Sequence, residues 1–132
     1  MGRRLAVGAF RAVAVLHAVL AVVQPIAAGA VLQASVAGLE VHRAVGSAVG
    51  LVGMVLVPLA VLAWRPGRLP AWPIAVAVGL VVAEVAQIAL GYTGLLAVHV
   101  PLGVAIVAAS VALAWWALRV RTVIAPAAPA GR

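Results

Sequence analysis

The sequence predicts an all-α integral membrane protein, a four-transmembrane-helix bundle built from two parallel helical-hairpin repeats. Three observations lead there. Of 132 residues, 67% are hydrophobic and only 8% charged, more apolar surface than a soluble domain of this length can bury. The apolar residues fall into four runs of about 20, enough for a helix to cross a ~30 Å hydrocarbon core. The two halves also echo each other, each reading Gln, Gly, turn, His, Gly: Gln24, Gly29, His42 and Gly46, then Gln87, Gly91, His99 and Gly103. Residues 1–132 are expected to form one domain.

The elements follow in order. Helix one is expected over about 10–32, after a short basic start. Arg3 and Arg4 ahead of it, with Ile26 to Ala30 resembling a cleavage site, give it the look of a secretory signal. The run is too long for a signal h-region, and three more spans follow. A small polar loop, 33–39, leads to helix two over about 40–64. Arg65-Pro66-Gly67-Arg68-Leu69-Pro70 then breaks the chain. Helix three is expected over about 71–92, and Gly91-Tyr92-Thr93-Gly94 forms a tight turn in which Thr93 is a candidate cap for the next helix. Helix four is expected over about 95–118, with Pro101 beginning its regular part. Residues 119–132 form a Pro/Ala-rich tail.

Charge assigns the sides. All nine basic residues are arginine; Arg3, Arg4, Arg11, Arg65, Arg68, Arg119, Arg121 and Arg132 fall on one side and Arg43 alone on the other. The positive-inside rule makes both termini and the tail cytoplasmic, in a bacterial inner membrane. Such basicity in a soluble chain would suggest nucleic acid. Here the arginines cluster at the ends of apolar runs, so the lipid bilayer is the partner and nucleic acid is not. Without cysteine there is no disulfide, no thiolate ligand and no covalent haem attachment. Trp64, Trp72, Trp115 and Trp116 read as an aromatic belt at the inner boundary.

The chemistry-bearing residues are few. His42 and His99 each open a long apolar run with a glycine four residues on, Gly46 and Gly103, so that each imidazole stands over bare backbone. Counting ~1.5 Å per residue, His42 lies about 34 Å from Arg65 and His99 about 30 Å from Arg119, a matched depth near the outer face. Two imidazoles at one depth suit the axial positions of a single haem. Gly29, Gly46, Gly91 and Gly103 would clear space for the porphyrin. Gly46 and Gly103 serve helix packing equally well, and Gly50 and Gly53 are read as packing residues in a GxxxG stripe. Arg43 suits either a haem propionate or an interfacial, snorkelling position. Gln24 and Gln87 are expected to hydrogen-bond between helices. Glu84, deep in helix three and on one face with Gln87 and Gly91, is expected to be protonated or paired, with His17 as the available partner. His17 shares its depth with no other histidine, so a second bis-histidine site is not expected.

Glu40-Val41-His42-Arg43 with its following glycines, Gln87-Ile88-Ala89-Leu90-Gly91, and His99 at the start of helix four together resemble one four-helix half of the heme A synthase family, and small four-helix bacterial membrane proteins of related pattern. The resemblance covers about residues 24–110. It implies a haem held by a histidine pair on the second and fourth helices, which falls on His42 and His99. The family's glutamate stands three residues before its histidine, whereas Glu40 stands two before His42, about 100° away around a helix. The family has eight helices, and many of its members carry extracytoplasmic cysteines that are absent here.

The sequence reading is therefore a membrane-embedded protein binding haem b non-covalently near the outer face. His42 and His99 are the iron ligands, Arg43, Gly29, Gly46, Gly91 and Gly103 line the cofactor, and no residue is assigned as catalytic. Its expected role is electron transfer, with a redox partner protein and a homodimer as further partners. The alternatives are a dimeric haem-modifying enzyme assisted by Glu40, and a haem-free accessory or scaffold subunit.

Overall fold

A computed structural model describes residues 2–120. It contains four α-helices: α1 (Arg3–Leu32), α2 (Val36–Trp64), α3 (Trp72–Thr93) and α4 (Leu96–Arg119). Each is long and apolar enough to cross a membrane. α1 packs on α2 and α4, and α3 packs on the same two helices. The four thus form a ring in which α1 stands diagonally across from α3, and α2 from α4. Most of the expected tail, with Arg121 and Arg132, lies outside the described residues.

The ends of the helices have local causes. α1 begins at Arg3 rather than near residue 10, because its basic start is made of good helix formers that find acceptors. The Arg3 Nε donates to the Gly67 carbonyl at 3.2 Å. The Arg11 guanidinium reaches the carbonyls of Ala117, at 2.8 Å, and Val120, capping the C-terminus of α4 where orphan carbonyls concentrate negative charge. α2 begins at Val36, not residue 40, because Ser35 is its N-cap and the Ser35 Oγ accepts from the Gly38 amide. The first loop is accordingly only Gln33 to Ser35. α3 carries Pro73 in its first turn and stops at Gly94, whose φ of 72° supplies the left-handed residue that closes a helix.

Two expectations are corrected here. Thr93 does not cap α4: it is still helical, and its hydroxyl donates back to the Leu90 carbonyl of α3, leaving Leu95 at the N-cap position. Pro101 does not begin the regular helix but lies within it, since α4 starts at Leu96.

The core is concentrated toward the arginine-rich end. Phe10, Leu56, Leu80 and Leu113, one from each helix, are buried there among Ala14, Ala60, Ala77 and Ala117. Alanines between larger side chains let the helices approach closely, so that dispersion contacts accumulate. The four tryptophans mark this end: Trp72 and Trp116 meet edge to face at 4.5 Å, while Arg65 and Arg119 lie over the rings of Trp64 and Trp115. The other end is looser. Val85, Tyr92, Val98 and Val100 are all exposed, and the α3–α4 hairpin is uncovered on its outer side.

Close approach of α1 and α2 depends on Gly38, where an added Cβ would fall 2.7 Å from the Ala30 Cβ. Gly79 has nothing within 4 Å of such an atom. Gly38→Ala should therefore destabilise the ring by about 1–3 kcal/mol. Gly79→Ala should stabilise it by up to about 1 kcal/mol through helix propensity. Denaturation of both variants in mixed micelles checks the opposite signs.

Candidate functional site

The looser end encloses a cavity of about 250 Å³. Its polar lining comes in three levels along the axis of the ring. His42 and His99 stand at the mouth, Gln24 and Gln87 below them, and Glu84 at the floor.

At the mouth, α2 and α4 bring their imidazoles together across the diagonal. The ring centroids of His42 and His99 are 6.3 Å apart, with 63° between their planes. The His99 Nδ1 donates to the Gln87 carbonyl at 3.0 Å. A carbonyl only accepts, so Nδ1 carries the proton and, in the neutral ring, Nε2 keeps its lone pair. Gly91 of α3 gives this ring its place, because a Cβ there would lie 3.2 Å from the His99 Cε1. The His42 Nδ1 is buried without a hydrogen-bond partner. Arg43 is exposed at the rim, with its guanidinium 5.7 Å from the centre of the Tyr92 ring.

One helical turn deeper, about 6 Å, two amides lie on two glycines. The Gln24 Nε2 would sit 3.1 Å from a Cβ on Gly46, and the Gln87 Nε2 2.8 Å from a Cβ on Gly103. The Gln24 Nε2 donates to the His42 carbonyl at 3.1 Å, linking α1 to α2 as expected of an interhelical glutamine. This bond turns the Gln24 Oε1 away from the carbonyl, and it has no partner; the Gln87 Oε1 has none either.

The floor joins the other diagonal. The His17 Nε2 of α1 and the Glu84 Oε1 of α3 are 2.6 Å apart, with the two residues only 1% and 4% exposed. The partnership expected from sequence is thus present. The other carboxylate oxygen, Oε2, presses on Gly53 of α2, where any Cβ would collide with it, and has no hydrogen-bond partner. Gly53 lies eleven residues past His42, about 16 Å deeper.

Among the described residues, four buried side-chain polar atoms lack a partner: Gln24 Oε1, His42 Nδ1, Glu84 Oε2 and Gln87 Oε1. All four belong to residues that line this one cavity. A dry orphan of this kind costs about 1–3 kcal/mol, and a cavity of this size, apolar for most of its lining but carrying these four atoms, has room for several waters or a ligand. Among the described residues, no group of three or more His, Cys, Asp or Glu side chains forms a site for a bare metal ion.

Of the residues singled out in the sequence, His42, His99, Arg43, Gly46, Gly91 and Gly103 all line the cavity. Gly29 does not; it stands five residues after Gln24, about 140° around the helix, and faces open space. The space at Gly46, Gly91 and Gly103 is taken up by Gln24, His99 and Gln87 rather than left open. Gly53, read as a packing residue, is where Glu84 is accommodated. Glu40 is exposed and outside the lining. The carboxylate of the cavity is Glu84, whose shared face with Gln87 and Gly91 was the available signal.

No protein-family model, curated protein or solved structure matches the chain.

Proposed function

We propose that the chain crosses a lipid bilayer four times, with both termini cytoplasmic, and holds one b-type haem between His42 and His99 as a carrier of electrons. The observation that carries this reading is the meeting of two imidazoles from diagonal helices inside a cavity. Two imidazoles holding one metal between them from opposite sides, through bonds of about 2 Å, would have centroids about 6 Å apart, and those of His42 and His99 are 6.3 Å apart. Coordination directs a nitrogen at the metal and leaves the ring free to rotate about that bond, so an angle of 63° between planes is compatible with it.

The donors also suit the task. The His99 Nδ1–H bond to the Gln87 carbonyl leaves Nε2 for the iron, and such a second bond orients a ligand ring and raises its basicity. A porphyrin would bring its own donors to the iron, so two histidines would suffice where a bare ion would need more protein ligands. His42 and His99 would be the residues that hold the iron, and a haem held by two histidines would supply one-electron transfer. Arg43 at the rim is the cation available to a propionate, in exchange for its contact with Tyr92.

The two-hairpin repeat belongs to the same reading. Gln24 on Gly46 and Gln87 on Gly103 are equivalent contacts in successive hairpins, each seven residues from the deeper pair Gly53 and Ser110 on α2 and α4. A repeat about an axis along the membrane normal puts α2 and α4 in equivalent places with their histidines at one depth. The eight-to-one arginine asymmetry supports the orientation.

Purified protein should show a low-spin haem spectrum. His42→Ala and His99→Ala should each abolish it or turn it high-spin, while His17→Ala, on a non-ligand helix, should leave it unchanged. Protein that carries no haem and takes up none when offered would overturn the assignment in favour of the haem-free scaffold. For topology, cysteines replacing Gln33 and Pro66, both exposed, should react with impermeant reagents from opposite sides of sealed vesicles.

A further inference from the structure

The buried pair at the floor of the cavity has no part in holding iron, and its surroundings are unlike on its two sides. Above Glu84 lie the unpartnered oxygens of Gln87 and Gln24 and then the mouth, so that polar atoms continue from the carboxylate to one end of the ring. Below it, each helix contributes one large apolar side chain: Phe10 seven residues before His17, Leu80 four before Glu84, Leu56 three after Gly53, and Leu113 three after Ser110. All four are at most 4% exposed and belong to the continuous core. Among the described residues the unpartnered polar atoms thus run from the mouth to Glu84, and the core side chains beneath it are apolar.

We propose that Glu84 and His17 form a proton-binding site that exchanges with the end of the ring carrying the Gln33–Ser35 loop, and with that end only. The proton arrives from water in the cavity and is taken up at the Glu84 Oε2, the oxygen that His17 does not engage. The carboxylate becomes a neutral carboxylic acid, and the His17 Nε2–H continues to donate to Oε1. Release reverses the step, with hydroxide or water in the cavity as the acceptor. The apolar layer beneath makes this a blind well, not a transmembrane proton path. From α1 the titratable group facing Glu84 is His17. α2 presents Gly53, and the lining residues of α4 below Gly103 are Ile106 and Val107, none of which titrates. On α3 itself the next polar group is Gln87; His42, His99, Arg43 and Tyr92 stand at the mouth. The proposal uses the four-span reading for its sidedness but does not depend on haem.

Infrared difference spectroscopy of the full chain tests it in two stages. In detergent, the C=O band of a carboxylic acid should disappear as pH rises, shift in heavy water, and be absent from Glu84→Gln. A titrating band that survives in Glu84→Gln, or no titrating band at all, would overturn the proposal. So would a band that follows sodium concentration at fixed pH, since the site would then take a metal cation.

In proteoliposomes, with orientation read from labelling of the Gln33→Cys and Pro66→Cys variants, a pH step on the Gln33 side should change the band and the same step on the Pro66 side should not. A response from the Pro66 side, or equally from both, would overturn the one-sided well. Labelling of both cysteines from the same side would instead overturn the four-span reading, and is read without reference to the carboxyl band.

Discussion

A carboxylate buried among apolar helices is the constraint around which this molecule is arranged. Glu84 cannot remain charged and alone in such surroundings, where an uncompensated ion costs several kcal/mol or more. His17 compensates it from the opposite corner of the ring, across 2.6 Å. That contact requires α1 and α3 to reach each other through the centre although they are not packing neighbours. It also brings the carboxylate against the backbone of α2, which leaves no room for a side chain at position 53 and explains the glycine there. The pair therefore sets how far apart the helices stand at mid-height, and the cavity above it is the space left open.

The two ends of the ring consequently obey different rules. Toward the arginine-rich end, alanines alternate with Phe10, Leu56, Leu80 and Leu113, and the helices close on one another. Toward the other end, glycines at 46, 91 and 103 are matched by polar side chains, so close approach is spent on Gln24, His99 and Gln87 rather than on apolar interdigitation. Hydrogen bonds to backbone carbonyls, Gln24 to His42 and His99 to Gln87, hold this region in register. The His99 imidazole is thus held by α3 as well as by its own helix, whereas the bond from Gln24 holds the backbone of α2 at His42 and not its ring.

Much of this arrangement is legible in the chain. Composition and apolar run length identify four helices, and the Arg65–Pro70 break and Gly94 mark two of the connections. The helix starts were less legible, because they depend on side chains reaching distant or local backbone: Arg11 on the end of α4 and Ser35 on Gly38. The pairing of His17 with Glu84 could be read from depth. The roles of the glycines could not. A glycine in a helix announces that something comes close without saying what, and here the visitor is a neighbouring glutamine or histidine. Gly29 shows the same limit from the other side, since its place in a repeated pattern said nothing about the direction it faces, which the 100° step per residue decides.

The Arg11 clamp has a consequence for the order in which the molecule is made. Its acceptors, the carbonyls of Ala117 and Val120, are the last to be synthesised among the described residues, whereas Arg11 belongs to the first turns of the first helix. The ring cannot be closed by this contact until all four helices have left the ribosome. Until then the first helix holds its cationic side chain for a partner not yet made, and both seams of α4, with α1 and with α3, wait for the last helix.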